Sequence, residues 1–154
     1  MKKTFLPAAF FILVISCAKI NVFEKNVAIK NHSWQSNVKP AIIFNIEDTA
    51  SLYNLYIVLR HSDAYGYNNI WIRCTAFNPG DSTKKSRDYN LPLANNENGW
   101  TGSGMDDIFE HRVLIQPNTK FSRSGNYTFV LEQIMREDPL EHVFNVGMRV
   151  QKTK

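Results

Sequence analysis

The side chains of this sequence that could do acid–base, metal or nucleophilic chemistry are few and scattered. Four histidines stand at His32, His61, His111 and His142, and no two have the helical or hairpin spacing that brings imidazoles onto one metal. Acidic and imidazole groups cluster only at His61-Ser62-Asp63 and along Asp106-Asp107-Ile108-Phe109-Glu110-His111. Zinc needs three or four convergent ligands, so the first cluster reads as a polar loop and His111 as a satisfied, half-buried histidine. Asp106 and Asp107 are the better-placed candidates for calcium, but the ordered alternation of an EF-hand is absent and no metal is assigned to them. Gly102-Ser103-Gly104 has Thr101 where a nucleophile elbow needs glycine, and reads as a flexible turn. Cys74 falls in an apolar register and reads as an inert buried thiol. With no phosphate-cradling glycine loop either, the chain offers no catalytic set and reads as non-enzymatic.

Cys17 is different. Met1 to Cys17 has the form of a bacterial export signal: Lys2 and Lys3, an apolar run from Phe5 to Ile15 interrupted by Pro7, and then Ser16-Cys17. The run is too short to span a bilayer as a stop-transfer helix. Val14-Ile15-Ser16-Cys17 resembles a lipobox, in which signal peptidase II cuts before the cysteine and the thiol carries diacylglycerol. The expectation is removal of residues 1–16, a diacylglyceryl and N-acylated Cys17, and no cofactor beyond that lipid. The protein would then be lipid-anchored in the cell envelope, and Ala18-Lys19-Ile20-Asn21, with no acid close behind the cysteine, points to the periplasmic side. Cys17 consumed by lipid leaves Cys74 without a disulfide partner. Loss of Lys2 and Lys3 lowers the formal net charge from +4 to +2, and no Lys/Arg cluster interleaves with aromatics, so no nucleic-acid partner is expected.

The remaining chemistry is aromatic. Trp71 and Trp100, with Tyr65 and Tyr67, are the candidate contacts for a protein partner or, by stacking on sugar rings, for a glycan. Trp71 lies in the polar register of its strand and is expected to be covered by another segment. Trp100 sits in Asn95 to Asp107, a loop with three glycines and long enough to suggest function; the competing reading is that its indole caps one end of the fold.

These residues must be positioned by strands. Tyr53, Leu55, Ile57 and Leu59 alternate along one run and Ile70, Ile72, Cys74 and Ala76 along the next. They are read as two arms of a hairpin sharing one buried face, with Arg60 across from Asn69 and Val58 across from Trp71. Val58 and Trp71 would then lie on a half-polar outer face. Further strands are expected at Ala41 to Ile46, at Asp88 to Leu93 as an edge because of Pro92, at Ile108 to Gln116, at Tyr127 to Gln133 and at Val143 to Val150. Gly125 two residues before Tyr127 suggests a tyrosine corner. The expected fold is all-β, a single antiparallel two-sheet β-sandwich over residues 41–154. Residues 17–40 would be the lipidated N-terminus and a tether, with a short strand at Asn21 to Glu24 and an anchor at Trp34.

A run of blocks in fixed order carries a family resemblance. After the lipobox come Tyr53-Asn54-Leu55-Tyr56 through Leu59-Arg60-His61, Asn69-Ile70-Trp71, Trp100-Thr101-Gly102 and Asp107-Ile108-Phe109-Glu110-His111-Arg112. Gly125-Asn126-Tyr127-Thr128-Phe129, Leu131-Glu132-Gln133-Ile134-Met135-Arg136 and Val146-Gly147-Met148-Arg149 follow. Together they resemble the GldH family of gliding-motility lipoproteins of Bacteroidetes. The resemblance implies a membrane-anchored accessory of gliding motility, linked to type IX secretion and working with protein partners in that machinery. It supplies no catalytic residues; only Cys17 maps onto a position of known chemistry. The alternative is a carbohydrate-binding envelope lipoprotein using Trp71, Trp100 and the Tyr65/Tyr67 loop.

Cys17→Ser is expected to abolish both lipid attachment and signal-peptidase-II processing, because the thiol is the acceptor. Metabolic labelling with an alkyne fatty acid checks it; equal labelling of mutant and wild type would remove the assignment.

Overall fold

The computed structural model describes residues 21–81 and 83–153; Cys17 and the segment expected to be an export signal lie outside the described residues. In chain order its strands are β1 (Val22–Ala28), β2 (Ser33–Trp34), β3 (Ala41–Ile46), β4 (Leu52–Ser62), β5 (Asn69–Phe77), β6 (Lys84–Pro92) and β7 (Ala94–Asn95). They continue as β8 (Gly99–Trp100), β9 (Ser103–Met105), β10 (Ile108–Lys120), β11 (Gly125–Gln133), β12 (Leu140–Glu141) and β13 (Val143–Lys152). A five-stranded sheet runs β1-β13-β4-β10-β9 and a four-stranded sheet β3-β11-β5-β6; β2 pairs with β12 and β7 with β8. All pairs are antiparallel, giving a two-sheet sandwich.

The period-2 pattern decides which face of each strand is inside. Ile42, Phe44 and Ile46 are buried while Ala41, Ile43 and Asn45 are exposed, and Tyr127, Phe129, Leu131 and Gln133 alternate inward along β11. Phe44 stacks with Phe129 at a ring separation of 5.3 Å and meets the edge of Phe121 at 5.9 Å, joining one turn and two strands in one aromatic layer. Pro92 ends β6 at the edge of the smaller sheet, where a missing N–H costs no ladder bond. The tyrosine corner is present: Tyr127 Oη donates to the Arg123 carbonyl at 2.9 Å.

The expected β4–β5 hairpin does not form. β4 lies between β13 and β10, β5 lies between β11 and β6, and residues 63–68 carry the chain from one sheet to the other. Their apolar faces do bury together, but across the sandwich rather than side by side. An alternating pattern specifies which face is buried and is silent on which strand pairs with which. The tether is also shorter than expected. β1 pairs with β13 from Val22↔Gln151 to Ala28↔Asn145, so the domain begins by Val22 and not at residue 41. Trp34 is fully buried, with its Nε1–H donating to the Val38 carbonyl at 2.8 Å, and fastens the 29–40 segment.

Val58, expected on an open outer face, is buried. It stands in register between Gly147 and Arg112, and the Arg112 guanidinium reaches across that face to Glu24 on β1, bonding both carboxylate oxygens at 2.9 and 3.0 Å. Arg149 adds a third bond to Glu24 at 3.0 Å. The Arg112 hydrogen bond, reinforced by Arg149, holds the Glu24 carboxyl below its ordinary value. A Cβ on Gly147 would fall 2.2 Å from the Lys25 carbonyl oxygen, so only glycine lets β1 approach.

Two ends of the sandwich follow from the register. Val22, Leu52, Lys120 and Lys152 share one end with the β3–β4, β5–β6 and β10–β11 connections, here termed the entry end. The 63–68 crossover and residues 93–107 form the far end, separated from it by the 11 residues of β4, about 36 Å at the usual strand rise.

Leu55→Ala and Ile72→Ala should each destabilise by about 2–5 kcal/mol, since both side chains are enclosed between the sheets. Arg60→Ala and Thr75→Ala should cost at most about 0.5 kcal/mol. Urea unfolding of the four variants checks the ordering; a reversal would mean that the strand faces are inverted.

Candidate functional site

At the far end the apolar alternation of two strands ends on histidine. β4 buries Tyr53, Leu55, Ile57, Leu59 and then His61; the inner face of β10 carries Phe109, His111, Val113 and Ile115. His61 sits opposite Phe109 and His111 opposite Leu59, which makes the two imidazoles diagonal neighbours on one face. Their Nε2 atoms are 2.9 Å apart and their rings nearly parallel, with His61 fully buried and His111 2 % exposed.

The proton positions follow from the partners. His61 Nδ1 lies 2.7 Å from the Ser62 carbonyl oxygen, which only accepts, so Nδ1 carries the hydrogen. In a neutral ring its Nε2 is then an acceptor, and His111 Nε2–H donates to it. Burial pushes both rings toward the neutral form. His111 falls from 6.5 to about 4, first through burial and then through the neighbouring His61; His61 also falls, against the opposing pull of the Ser62 carbonyl.

An aromatic shell closes over the pair. The Trp100 ring meets His61 edge-on at 4.5 Å, with Tyr65 at 5.0 Å and Phe109 at 6.0 Å. Trp100 Nε1–H donates to Asp63 Oδ1 at 2.7 Å, the Thr101 N–H to the Leu93 carbonyl at 2.8 Å, and the Asp63 N–H to the Asp107 carbonyl at 2.7 Å. A Cβ on Gly102 would come within 2.6 Å of the Glu110 carbonyl oxygen and 2.8 Å of His111 Nε2. Gly102 and Gly104, expected to be a flexible turn, are instead close-approach positions that seat the loop on the His111 and Phe109 rings. A cavity of about 270 Å³ opens beside His111 between Gly102, Ser103, Glu110 and Arg112.

The four candidate aromatics do not share one surface. Tyr65 is 3 % exposed, with its hydroxyl donating to the Asn69 carbonyl at 3.1 Å, and Trp100 is half-buried against the core. Trp71 and Tyr67 face outward, 42 % and 38 % exposed. No segment covers Trp71, contrary to expectation, because β11 ends one residue short of it and the chain after Gln133 turns alongside. The Ile134 N–H donates to the Trp71 carbonyl at 3.0 Å, and the Trp71 N–H to Met135 Sδ at 3.2 Å. The result is an open groove of about 530 Å³ between Tyr67, Asn69, Trp71, Ile134, Met135 and Arg136. Tyr67 is fixed at its rim by a 2.6 Å hydrogen bond to Glu137. Asp106 and Asp107 are exposed, and among the described residues no three His, Cys, Asp or Glu side chains converge on a point.

The imidazole pair escaped the sequence reading because no local spacing encodes it; 50 residues separate its members. The signal that could have found it is that each histidine continues an apolar alternation, which makes it a buried group in need of a partner.

Comparison with known proteins places this domain. The GldH lipoprotein family profile matches residues 21–150. The chain belongs to that family. It is 29 % identical over 150 residues to the gliding motility lipoprotein GldH homolog of Christiangramia forsetii, covering 92 % of this chain and 90 % of that one. It is 27 % identical over 148 residues to the gliding motility lipoprotein GldH of Flavobacterium johnsoniae, covering 92 % and 91 %. Among solved structures, the VP2 subviral particle of infectious bursal disease virus aligns over 96 % of this chain and 37 % of VP2 at 12 % identity. Its TM-score of 0.38 is too low to inform the fold.

The buried histidines set a pH window. A ring that titrates at 6.5 when unfolded and lower when folded contributes stability that is complete above pH 6.5 and lost as pH falls toward about 4. The shifted carboxylates act lower, since their ordinary values are 3.8 and 4.5 and their shifts are downward. The melting temperature should therefore fall by roughly 5 °C between pH 7 and pH 4.5. The double variant His61→Leu/His111→Leu should flatten that interval. A slope unchanged by the double substitution would show that the pair does not titrate as described.

Proposed function

We propose that this protein is a non-enzymatic, lipid-anchored accessory of bacterial gliding motility, linked to type IX secretion and acting by contact with other proteins of that machinery. Membership of the GldH lipoprotein family across the whole described domain carries the reading, together with relatives named for gliding motility. Cys17 is the proposed attachment point, with the domain on the periplasmic side of its membrane.

The anchor and the fold together set a geometry for this role. Five residue steps separate Cys17 from Val22, a span of at most about 18 Å, so lipidation would hold the entry end of the sandwich against the membrane. The far end would then stand some 35 Å further out, with the Tyr67–Trp71 groove beside it. That groove is the proposed partner contact, since it combines exposed aromatic area with Met135 and Arg136, the residue types enriched where protein surfaces meet. Trp100, bonded to Asp63 and packed on His61, is better suited to holding the far end together. A glycan is the second reading. It is favoured by the outward-facing Trp71 and Tyr67 with the polar Asn69 and Arg136 between them.

Trp71→Ala should leave the melting temperature within about 2 °C of wild type while impairing colony spreading and secretion. Trp100→Ala should destabilise by about 2 kcal/mol, a part-buried indole losing its packing and its hydrogen bond. Normal spreading by a Trp71→Ala strain would overturn the contact assignment. Glycan titration of tryptophan fluorescence, with a response lost in the same variant, would move the reading to the sugar-binding alternative.

A further inference from the structure

The smaller sheet ends on β6, and the half of that strand nearest the entry end is an open pairing edge. The Ile134 N–H bonds the Trp71 carbonyl, so Trp71 and, by alternation, Arg73, Thr75 and Phe77 turn their backbone groups toward β11. Ile72, Cys74 and Ala76 therefore bond Tyr89, Arg87 and Lys85, in step with the Leu93 N–H on the Asn68 carbonyl. What remains is a row of N–H and C=O groups at Lys84, Ser86 and Asp88 that point away from the sheet and meet no backbone partner among the described residues. All five residues from Lys84 to Asp88 are exposed. Lys85 and Arg87 continue the inner face of Leu91 and Tyr89 and overhang an opening toward β10. Gln116, Thr119 and Lys120 line its other wall, and no Asp or Glu lines it among the described residues. Neither Lys85 nor Arg87 is in an ion pair there. The acids beside them are committed elsewhere: Asp88 is bound by Arg73 through two hydrogen bonds at 2.7 and 2.8 Å, and Asp81 accepts from the Thr83 N–H.

We infer that this edge binds an extended acidic segment of a partner protein by antiparallel strand addition, with Asp or Glu at alternate positions facing Lys85 and Arg87. A free strand edge supplies the ladder, and alternate side chains supply the choice. Guest residues opposite Lys84, Ser86 and Asp88 would make the ladder bonds, while those opposite Lys85 and Arg87 stand in the non-bonded pairs, where side chains approach most closely. Ladder and charge thus fall to alternate residues of the guest. A second copy of this chain does not fit. β6 against β6 sets cation against cation, a pattern that blocks self-pairing of edges. The other edges, β1, β3, β9 and β10 beyond Glu110, hold one acid between them, Glu24, which Arg112 and Arg149 already bind. An anionic lipid or a nucleic acid meets the cations and leaves the row of amides unused. The edge is also separate from the Tyr67–Trp71 groove, which lies at the opposite end of the β5–β6 ladder.

The test is fluorescence anisotropy of a labelled heptapeptide, Thr-Glu-Thr-Glu-Thr-Glu-Thr, titrated with the processed full chain in an uncharged detergent. Saturable binding is expected, with slowed hydrogen exchange at the Lys84, Ser86 and Asp88 amides. N-methylation of the threonines removes the donors that would face β6 and keeps every charge; it should weaken binding roughly tenfold. N-methylation of the glutamates, whose N–H groups would face away, should change it by less than about twofold. Lysine in place of glutamate in the peptide, or Lys85→Glu/Arg87→Glu in the protein, should each weaken binding roughly tenfold. The double variant should keep its melting temperature, since both positions are exposed. Ser86→Pro, which removes one outward N–H where an edge strand tolerates proline, should weaken binding with both cations in place. Absence of saturable binding, or a loss from the glutamate methylation as large as that from the threonine one, would overturn the inference. Binding indifferent to both methylations would also overturn it, because the edge would then be a charge patch open equally to phosphate headgroups. None of these readouts depends on motility, so a failure here with normal spreading removes the strand-addition site and leaves the proposed function standing.

Discussion

Burial of the inner face of β4 against the inner face of β5 is the interaction on which the rest of this domain depends. Each strand is interior to its own sheet, so Leu55, Ile57 and Leu59 from one side and Ile70 and Ile72 from the other occupy the middle of the core. The two are consecutive in sequence, yet neither can pair with the other once they face across the sandwich. Their ladder bonds come from β13 and β10 for one and from β11 and β6 for the other, and of these four only β6 is a neighbour in sequence. The closing pair, β1 with β13, brings together the two ends of the described chain. Such an arrangement places most of its loop-closure entropy ahead of its rewards, the situation of slow-forming β topologies.

That constraint also explains which parts of the fold the sequence made legible. Strand positions and inner faces follow from alternation, a local property, and Tyr127 with Gly125 marks a corner through one side chain and one backbone position. The β4–β5 crossover was misread as a hairpin because alternation is identical in both arrangements and the intervening segment suits either. What separates them is the competition of distant strands for the same edges, which no window of residues contains. The tether is shorter than expected for a related reason: the alternation marks only a short strand at Asn21 to Glu24, and it extends to Ala28 and joins the domain because β13 offers an edge and Gly147 lets it approach. Of the candidate site residues, Trp71 and Trp100 exchanged surroundings for reasons of topology. β11 stops before reaching Trp71, while Asp63 at the crossover supplies the acceptor that draws Trp100 inward.

The two ends of the sandwich have different chemistry. The entry end collects Lys85, Arg87, Lys120 and Lys152, and of these Lys152 is committed to Asp48, whose carboxylate also caps the turn through Ser51 and the Ala50 N–H. The far end is built around an aromatic cluster, where Asp63 is tied to an indole, while Asp106 and Asp107 lie exposed on its outside. Between them the outer face of the larger sheet is laced by Glu24, Arg112 and Arg149, which bind the first strand to the fourth across two others. These bonds tie the sheet together across its width.

The imidazole pair ties the far end together. Filling the far end with two leucines would have been simpler, since a buried polar group is tolerable only when bonded. His61 and His111 meet that condition with two directional bonds, Nδ1–H to Ser62 and Nε2–H to Nε2, and both bonds fix orientation as well as energy. Ser62 opens the crossover, Asp63 holds Trp100, and Gly102 rests against His111, so the pair links the crossover, β10 and the long loop through contacts that each allow one geometry. An apolar plug would have left that loop free to slide over a greasy surface. Directional bonding instead converts residues 93–107 from an excursion into a fixed end wall, and the neighbouring groove at Trp71 inherits a rigid rim from it. Its walls are then set before any partner arrives, which lowers the ordering cost of the contact it is proposed to make.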